Sequence, residues 1–204
     1  MIELIAERLT GYLVSKDIIE KEEIDVYKYG YEILTSSLLG VLLILVVSIL
    51  LHQVDVAMFF LCVVCGVRSY SGGYHADTYL RCNATFVSIY VTYTCAVNYL
   101  CNISNVKLSL IVMCVISTLI ICKYAPLENH NKPLSKDNIK RNGNKTKVSI
   151  CIWHIVAMLL YLEYSKYSVA IEVSLLCVAL LLVIGKIKEQ KYAKSLEMEE
   201  KYEE

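Results

Sequence analysis

Apolar residues fall into long uncharged blocks along the chain rather than into alternating or helical stripes. A helix that crosses the hydrocarbon core of a bilayer needs about 20 mainly apolar residues. The pattern therefore predicts an all-α integral membrane protein with six transmembrane helices. The stretches that lack Asp, Glu, Lys and Arg are residues 33–54, 56–67, 82–106, 108–122, 148–162 and 173–185.

Two of these blocks are too short to cross a bilayer unless the spans also include charged residues. The second block makes a span if it extends to residues 53–71, with Asp55 at one interface and the Arg68 side chain reaching the other. The sixth block similarly requires residues 168–186, and that span must accommodate Glu172.

Lysine and arginine are distributed unevenly between the segments that join the spans. If the N-terminus is cytoplasmic, the four inward-facing segments carry 4, 2, 7 and 5 of these residues, whereas the outer loops carry at most one each. Positive charge concentrates on the cytoplasmic side of membrane proteins. We therefore predict a multi-pass protein of the cell membrane with both termini in the cytoplasm. The inward-facing segments are residues 1–34, 68–82, 123–147 and 186–204.

The sequence before the first span predicts two amphipathic helices along the inner interface of the membrane. One apolar face comprises Ile5, Leu9, Tyr12 and Leu13, and the other comprises Ile24, Tyr27, Tyr31 and Leu34. Eight acidic residues against four basic ones exclude a polybasic anchor, so we expect these helices to dock on their own bundle. The single membrane domain then divides into an interfacial region (1–34), a six-span core (35–185) and a tail (186–204).

Composition narrows the functional classes. The chain is 56% hydrophobic with zero net charge, and it has no basic tract with interleaved aromatic residues, so nucleic-acid binding is not expected. Most of the nine cysteines fall inside predicted spans and their number is odd, which argues against a disulfide framework. The Cys62-x-x-Cys65 pair is expected to be helix-facing or lipid-facing filler rather than a redox or metal site. No metal or other cofactor is expected.

The longest hydrophilic interruption is residues 123–147, which contain both prolines and an Asn142-Gly143-Asn144 turn signal. This segment predicts a cytoplasmic loop with seven positive charges. The charged tail after the last span is expected to be helical or frayed.

Reactive polar residues concentrate in "RSYSGGYHADTYLRC", residues 68–82. Cys82 is predicted at the cytoplasmic interface beside Arg81, and His75 precedes it by seven residues, which together suit acyl transfer through a thioester. On a continuous helix this spacing separates the two side chains by about 10.5 Å along the axis, so the backbone must break between 73 and 82. Gly72-Gly73 supplies the freedom to begin that break.

Other interpretations of the same residues remain open. His75 suits an ordinary interfacial polar residue, Cys82 a helix-packing cysteine, and Arg68 a positive-inside anchor. Gly72-Gly73 can simply end a helix, and Asp77 fits a solvated loop better than a third catalytic position. A second functional class is a small transporter or channel component whose path would be lined by the following polar residues. These are His75, Asp77 and Glu172. A structural membrane subunit is the third class.

Two segments carry a family resemblance. The run Arg68-x-x-x-Gly72-Gly73-x-His75-Ala76, followed by Cys82, resembles the signature of the accessory gene regulator protein B (AgrB) family, membrane peptidases that process quorum-sensing pro-peptides. "KYAPLENHNKPL", residues 123–134, is similar to the proline-containing segment that follows the fourth span in that family. The length of the chain and its predicted six-span layout also agree with those of the family, so the resemblance covers nearly the whole chain.

The resemblance implies that Cys82 is the nucleophile of a cysteine peptidase and acyl transferase, and that His75 is its general base and acid. It implies supporting roles in structure or peptide binding for Arg68, Gly72 and Gly73. The implied substrate is a short pro-peptide with an acidic C-terminal tail, which is cleaved and then cyclised to a thiolactone or lactone. It also implies a homodimer, and it suggests that the basic segment 123–147 attracts the acidic tail, although topology control explains those charges equally well.

Overall fold

The computed structural model describes residues 2–74, 76, 78–128 and 135–203, and throughout these ranges the regular structure is helical. A short 3-10 helix at Lys21–Glu23 separates the first two α-helices. The α-helices are α1 (Ile2–Ser15), α2 (Ile24–Leu50), α3 (Val54–Ser71), α4 (Tyr79–Cys101), α5 (Val106–Tyr124), α6 (Lys136–Tyr161) and α7 (Ser165–Glu203).

Five helices, α2, α3, α4, α5 and α7, are long and apolar enough to cross a membrane. The chain is therefore a multi-pass membrane protein by the length and composition of its helices. The fifth predicted span, residues 148–162, corresponds to the C-terminal part of α6, whose first half is polar, so its apolar stretch within the helix is only residues 148–161. Six spans, and the side of the membrane on which the termini lie, remain predictions.

The last helix, α7, is the centre of the bundle. Most residues of its membrane-spanning part are buried, whereas most residues in the other four spans are not. Helices α3, α4, α5 and α6 all pack against it. A helix that is apolar on every side suits such a central position.

Helices α3 and α7 run in the same direction, and this brings their C-terminal parts together. At the start of the two helices, Lys166 Nζ donates a hydrogen bond to Asp55 Oδ2 at 2.6 Å. Beyond the end of α3, the Tyr74 backbone N–H donates to the Leu181 carbonyl oxygen at 3.1 Å. The sequence predicts Asp55 at one end of the second span, and in the structure Asp55 lies at the start of α3, where it pairs with Lys166.

Small residues on α2 allow α4 to approach closely at the same end as the polar cluster. Asn83 Nδ2 donates to Ser36 Oγ at 3.3 Å in a buried contact. A Cβ at Gly40 would lie 2.8 Å from Asn83 Oδ1 and 3.3 Å from the Phe86 ring. Close packing of this kind fixes the start of α4, because a side chain larger than glycine would push the helices apart.

The N-terminal region differs from the prediction in two respects. Residues 24–34 are not a separate interfacial helix, because they form the first part of α2 without a break at position 34. Helix α1 contacts α2 through Ala6 and Thr10, whereas Ile5, Leu9 and Tyr12 are 40%, 41% and 59% exposed. Helix α1 therefore does dock on the bundle, as expected, although most of the large residues on its apolar face are not in the contact. Small residues let the two backbones meet, and the larger apolar side chains point outward.

The segment 123–147 is only partly a loop. Helix α6 begins at Lys136, where the Ser135 side chain caps it by accepting a hydrogen bond from the Asn138 N–H at 3.3 Å. The Asn142-Gly143-Asn144 turn prediction is wrong because all three residues are helical. A Cβ at Gly143 would come within 3.4 Å of Pro126 Cδ, so glycine here suits close packing rather than a turn.

Candidate active site

A two-glycine turn ends α3 and begins the polar cluster. Gly72 and Gly73 have φ angles of +70° and +143°, a backbone conformation that L side chains rarely adopt. A Cβ at Gly72 would also clash with the Leu127 carbonyl oxygen. Because α4 begins only at Tyr79, no continuous helix joins positions 73 and 82. The predicted break in the backbone is thus confirmed.

This turn is held from two sides. On one side the Leu127 N–H donates to the Ser71 carbonyl oxygen at 2.9 Å, and on the other the Tyr74 N–H donates to Leu181 of α7. A Cβ at Gly185 would lie 2.9 Å from the Tyr74 nitrogen and 3.0 Å from the Gly73 carbonyl carbon. Glycine at this position of α7 therefore allows the turn to sit directly on the central helix.

Arg68 reaches back over the turn from the last part of α3. Its Nη2 atom donates a hydrogen bond to the Tyr74 carbonyl oxygen at 2.9 Å. Its Nε atom lies 3.5 Å from the position that a Cβ on Gly73 would occupy. The guanidinium therefore ties the end of α3 to the backbone beyond Gly73. That the side chain also reaches the membrane interface stays a prediction.

Cys82 lies at the N-terminal end of α4 and is partly exposed. The Thr78 side chain caps this helix by accepting from the Arg81 N–H at 3.3 Å, and the Cys82 N–H bonds to the Thr78 carbonyl oxygen at 3.0 Å. Arg68 is close to both Cys65 and Cys82.

The structure thus brings Arg68, Gly72, Gly73 and Cys82 to one end of the bundle. His75 and Asp77, the other polar residues of the cluster, lie outside the described residues. The pairing of His75 with Cys82 stays a prediction. Residues 74, 76 and 78, which flank those positions, connect the Arg68-bound turn to the helix that carries the thiol.

Lysine side chains lie against tyrosine rings at this end. Lys145 Nζ of α6 is 4.9 Å from the centre of the Tyr70 ring, and Lys188 Nζ of α7 is 5.5 Å from the centre of the Tyr74 ring. A cation over the face of an aromatic ring is stabilised by the charge distribution of the ring. The first half of α6 therefore holds part of the basic segment 123–147 beside the end of α3.

A second polar cluster, which the sequence does not predict, lies among α5, α6 and α7. His154 Nδ1 and Glu172 Oε1 are 2.8 Å apart, and His154 Nε2 is 3.0 Å from Thr118 Oγ1. Cys114 is next to this pair. The signal in the sequence was Glu172 inside an apolar span, but nothing there indicated which residue would face it.

The transporter hypothesis required Glu172 to share a path with His75 and Asp77. Glu172 precedes Leu181 by nine residues on α7, and Leu181 contacts the turn at Tyr74, so the separation along the helix axis is about 13 Å. The partner that the structure gives Glu172 is His154. Since His75 and Asp77 lie outside the described residues, a path through all three residues stays a prediction.

All nine cysteines are in described segments, and none forms a disulfide. Cys62 and Cys65 are exposed on α3, in agreement with a position facing lipid. Among them Cys82 has the guanidinium of Arg68 nearby and lies at a helix N-terminus, outside the apolar middle of its span.

Comparison with known proteins identifies the family to which the chain belongs. The profile of the family described as Accessory gene regulator B matches residues 6–182, which is most of the chain and includes both polar clusters. The chain belongs to the accessory gene regulator B family. Membership in this AgrB family implies a part in the processing of agr quorum-sensing peptides.

Two AgrB-like relatives from Clostridium perfringens are similar over most of the chain. "Putative AgrB-like protein 2" of strain 13 / Type A is 25% identical over 183 residues, which cover 86% of this chain and 85% of the relative. "Putative AgrB-like protein" of strain SM101 / Type A is 23% identical over 154 residues, covering 74% and 72%. No solved structure matches the chain.

Proposed function

We propose that this AgrB family member is a membrane cysteine endopeptidase with Cys82 as the nucleophile and His75 as the general base and acid. The observation that carries the proposal is the position of the Cys82 thiol. It is partly exposed at the start of α4, close to Arg68 and at the same end of the bundle as the glycine turn. A thiolate is the reactive form of cysteine, and the proposal assigns removal of the thiol proton to His75.

In the first half of the reaction the Cys82 thiolate attacks the carbonyl carbon of the scissile peptide bond. The C–N bond then breaks, and His75 gives its proton to the leaving amine, which departs as the new N-terminus of the released tail. The signal part of the peptide remains as an acyl thioester on Cys82. Arg68 does not take part in bond making; it holds the Tyr74 carbonyl next to the position of His75.

In the second half a cysteine or serine within the peptide attacks the thioester. His75 takes the proton of that nucleophile, a new thioester or ester bond closes the ring, and Cys82 leaves as a thiolate. Exchange of one thioester for another keeps the acyl group activated, so ring closure needs no nucleotide or metal. Exclusion of water from the acyl-enzyme favours cyclisation over hydrolysis.

The proposed substrate is a short pro-peptide with an acidic C-terminal tail, and the proposed enzyme is a homodimer with its active site toward the cytoplasm. Lys145 and Lys188 lie against Tyr70 and Tyr74 at the same end as the turn. Positive charge at this end would attract an acidic tail and place the peptide bond before it near Cys82.

The test is co-expression with a candidate pro-peptide whose gene neighbours that of the protein. C-terminal cleavage is followed by mass spectrometry for the wild type, Cys82→Ala and His75→Ala, and Cys95→Ala on the same helix serves as the matched control. We expect cleavage in the wild type and the control, no cleavage in the other two variants, and an acyl-enzyme mass on Cys82. Undiminished cleavage by Cys82→Ala, at equal membrane abundance, would contradict the proposal and favour the transport hypothesis.

A further inference from the structure

We propose that Cys114, His154 and Glu172 form a binding site for a divalent transition metal ion, with Zn²⁺ as the ion that best fits their donor atoms. The site joins α5, α6 and α7, and it is separate from the Cys82 region. A thiolate, an imidazole nitrogen and a carboxylate oxygen are three of the ligand types that zinc takes in proteins. This set is neither the all-oxygen set typical of magnesium and calcium nor the all-thiolate set typical of iron–sulfur clusters.

The donor atoms of the three side chains already converge. One ligand atom from each, the Cys114 Sγ, a ring nitrogen of His154 and a carboxylate oxygen of Glu172, lie within 4.8 Å of one another. Two donors of a tetrahedral zinc ion are about 3.4 Å apart at metal–ligand distances of ~2.1 Å. Binding therefore requires a pair of donor atoms to approach by at most about 1.4 Å, which small side-chain rotations on both partners can supply.

Glu172 has an oxygen that the protein leaves unsatisfied. The residue is only 4% exposed, and its Oε1 atom meets His154 Nδ1, but among the described residues its buried Oε2 atom has no hydrogen-bond partner. A buried carboxylate oxygen without a partner is costly, and more so within the hydrocarbon region. A cation coordinated by the carboxylate would satisfy that oxygen.

Thr118 orients the His154 ring because its hydroxyl contacts the ring nitrogen that does not face Glu172. Its Oγ1 atom lies 3.0 Å from His154 Nε2 and can accept the Nε2–H hydrogen bond. In that tautomer Nδ1 carries the lone pair that a metal ion needs. Without a metal, Nδ1–H can instead donate to Glu172 Oε1 at 2.8 Å while the Thr118 hydroxyl donates to Nε2. Metal-binding histidines commonly have their second nitrogen held in this way.

The position of the cluster indicates a structural role. Glu172 is seven residues from the start of α7, so the site is about 10 Å from that end of the helix. Cys114 and His154 are partly exposed on the neighbouring helices, which gives an ion access to the site. A metal bound here would clamp α5 and α6 onto the central helix, and the fourth coordination position would be left to water. On binding, the Cys114 thiol gives up its proton to solvent.

The experiment uses the full chain, purified in detergent with an affinity tag that lacks histidine and stripped of metal with a chelator. Zn²⁺ is added and the bound ion is counted by elemental analysis, and Co²⁺ is added separately to observe a thiolate-to-cobalt charge-transfer absorption band. We expect one ion per chain in the wild type, a charge-transfer band, and an increase in thermal stability when Zn²⁺ is added.

Cys114→Ser and Glu172→Gln test the site, and Cys122→Ser on the same helix and Cys82→Ser are the controls. Cys114→Ser should abolish the cobalt band and weaken binding about tenfold or more, comparable with the known effect of altering a metal's surroundings. Both control variants should bind one ion per chain and show the cobalt band of the wild type. If Glu172→Gln does not fold, Cys114→Ser decides the outcome. No stoichiometric ion in the wild type, or an unchanged cobalt band in Cys114→Ser, would overturn the proposal.

Discussion

The guanidinium of Arg68 donates a hydrogen bond to the carbonyl oxygen of Tyr74 at 2.9 Å, across a turn whose two glycines have positive φ angles. The same guanidinium is close to Cys82. One side chain from α3 therefore binds the backbone of the residue that precedes His75 and lies near the thiol at the start of α4.

Replacement of Arg68 by lysine is expected to reduce pro-peptide cleavage about tenfold or more. Lysine keeps the positive charge but has no planar guanidinium. It therefore cannot place one nitrogen beside Gly73 and another on the Tyr74 carbonyl oxygen at the same time. Cleavage is measured by mass spectrometry at matched membrane abundance. Arg141→Lys, an exposed arginine changed in the same way, is the control. Cleavage at the wild-type rate by Arg68→Lys would show that only the charge matters.

Gly72→Ala is expected to lower the free energy of unfolding by about 1–3 kcal/mol, because a Cβ at this φ is strained and would clash with the Leu127 carbonyl oxygen. Thermal denaturation in detergent measures the effect. The control is Gly66→Ala in the same helix, where a Cβ meets nothing within 4 Å. This control should be neutral or slightly stabilising, since alanine favours a helix. Equal melting temperatures for the two variants would refute the strained-turn account.

Lys145→Glu is expected to raise the KM for a pro-peptide with an acidic tail roughly three- to tenfold, because it places a negative charge beside Tyr70. The value of kcat should change much less, since Lys145 is not a reacting group. Added salt should narrow the difference from the wild type. Lys107→Glu, at the start of α5, is the matched charge reversal. A similar increase in KM in both variants would show that the acidic tail is not bound by a local surface around Lys145.

Acidification is expected to loosen α1 from α2. Lys28 Nζ donates to Glu7 Oε1 at 2.7 Å, and this hydrogen bond together with the lysine charge lowers the pKa of Glu7 below its usual value of 4.5. The stabilisation is therefore present above the unfolded pKa and lost as the pH falls through the folded one. Amide protection in α1, corrected for intrinsic exchange, should fall below pH 4.5.

Glu7→Gln provides the control for that pH effect. The variant should show the weaker protection at every pH, because glutamine has no charge to lose. A protection profile of the wild type that stays flat with pH, or one that Glu7→Gln reproduces, would show that the pair does not hold α1.

The sequence predicts the helices best where charges mark their ends. The second span was expected at 53–71 and is found at Val54–Ser71, because Asp55 and the glycines after Ser71 limit the apolar stretch. Prediction fails at residue 34 and at Asn142-Gly143-Asn144. At these positions the helix continues because packing against neighbouring helices outweighs local preference.

The candidate site is predictable only in part for a different reason. Cys82, Arg68 and the glycines are close along the chain, so their residue types and spacing identify them. His154 and Glu172 are on different helices, and neither apolar block indicates which face meets the other. Contacts between distant helices depend on how the bundle is assembled, which the pattern of a single helix does not contain.

Helix α7 is continuous from Ser165 to Glu203, and its 39 residues span about 58 Å, roughly twice the thickness of a hydrocarbon core. This one continuous helix places Gly185 against the turn and extends into the charged tail. A rotation by one residue, about 100°, would replace Gly185 with a neighbour that has a side chain. The turn packed on Gly185 therefore opposes rotation of α7 about its axis. Because α7 is continuous, a rotation imposed on the tail would displace Gly73 and Tyr74.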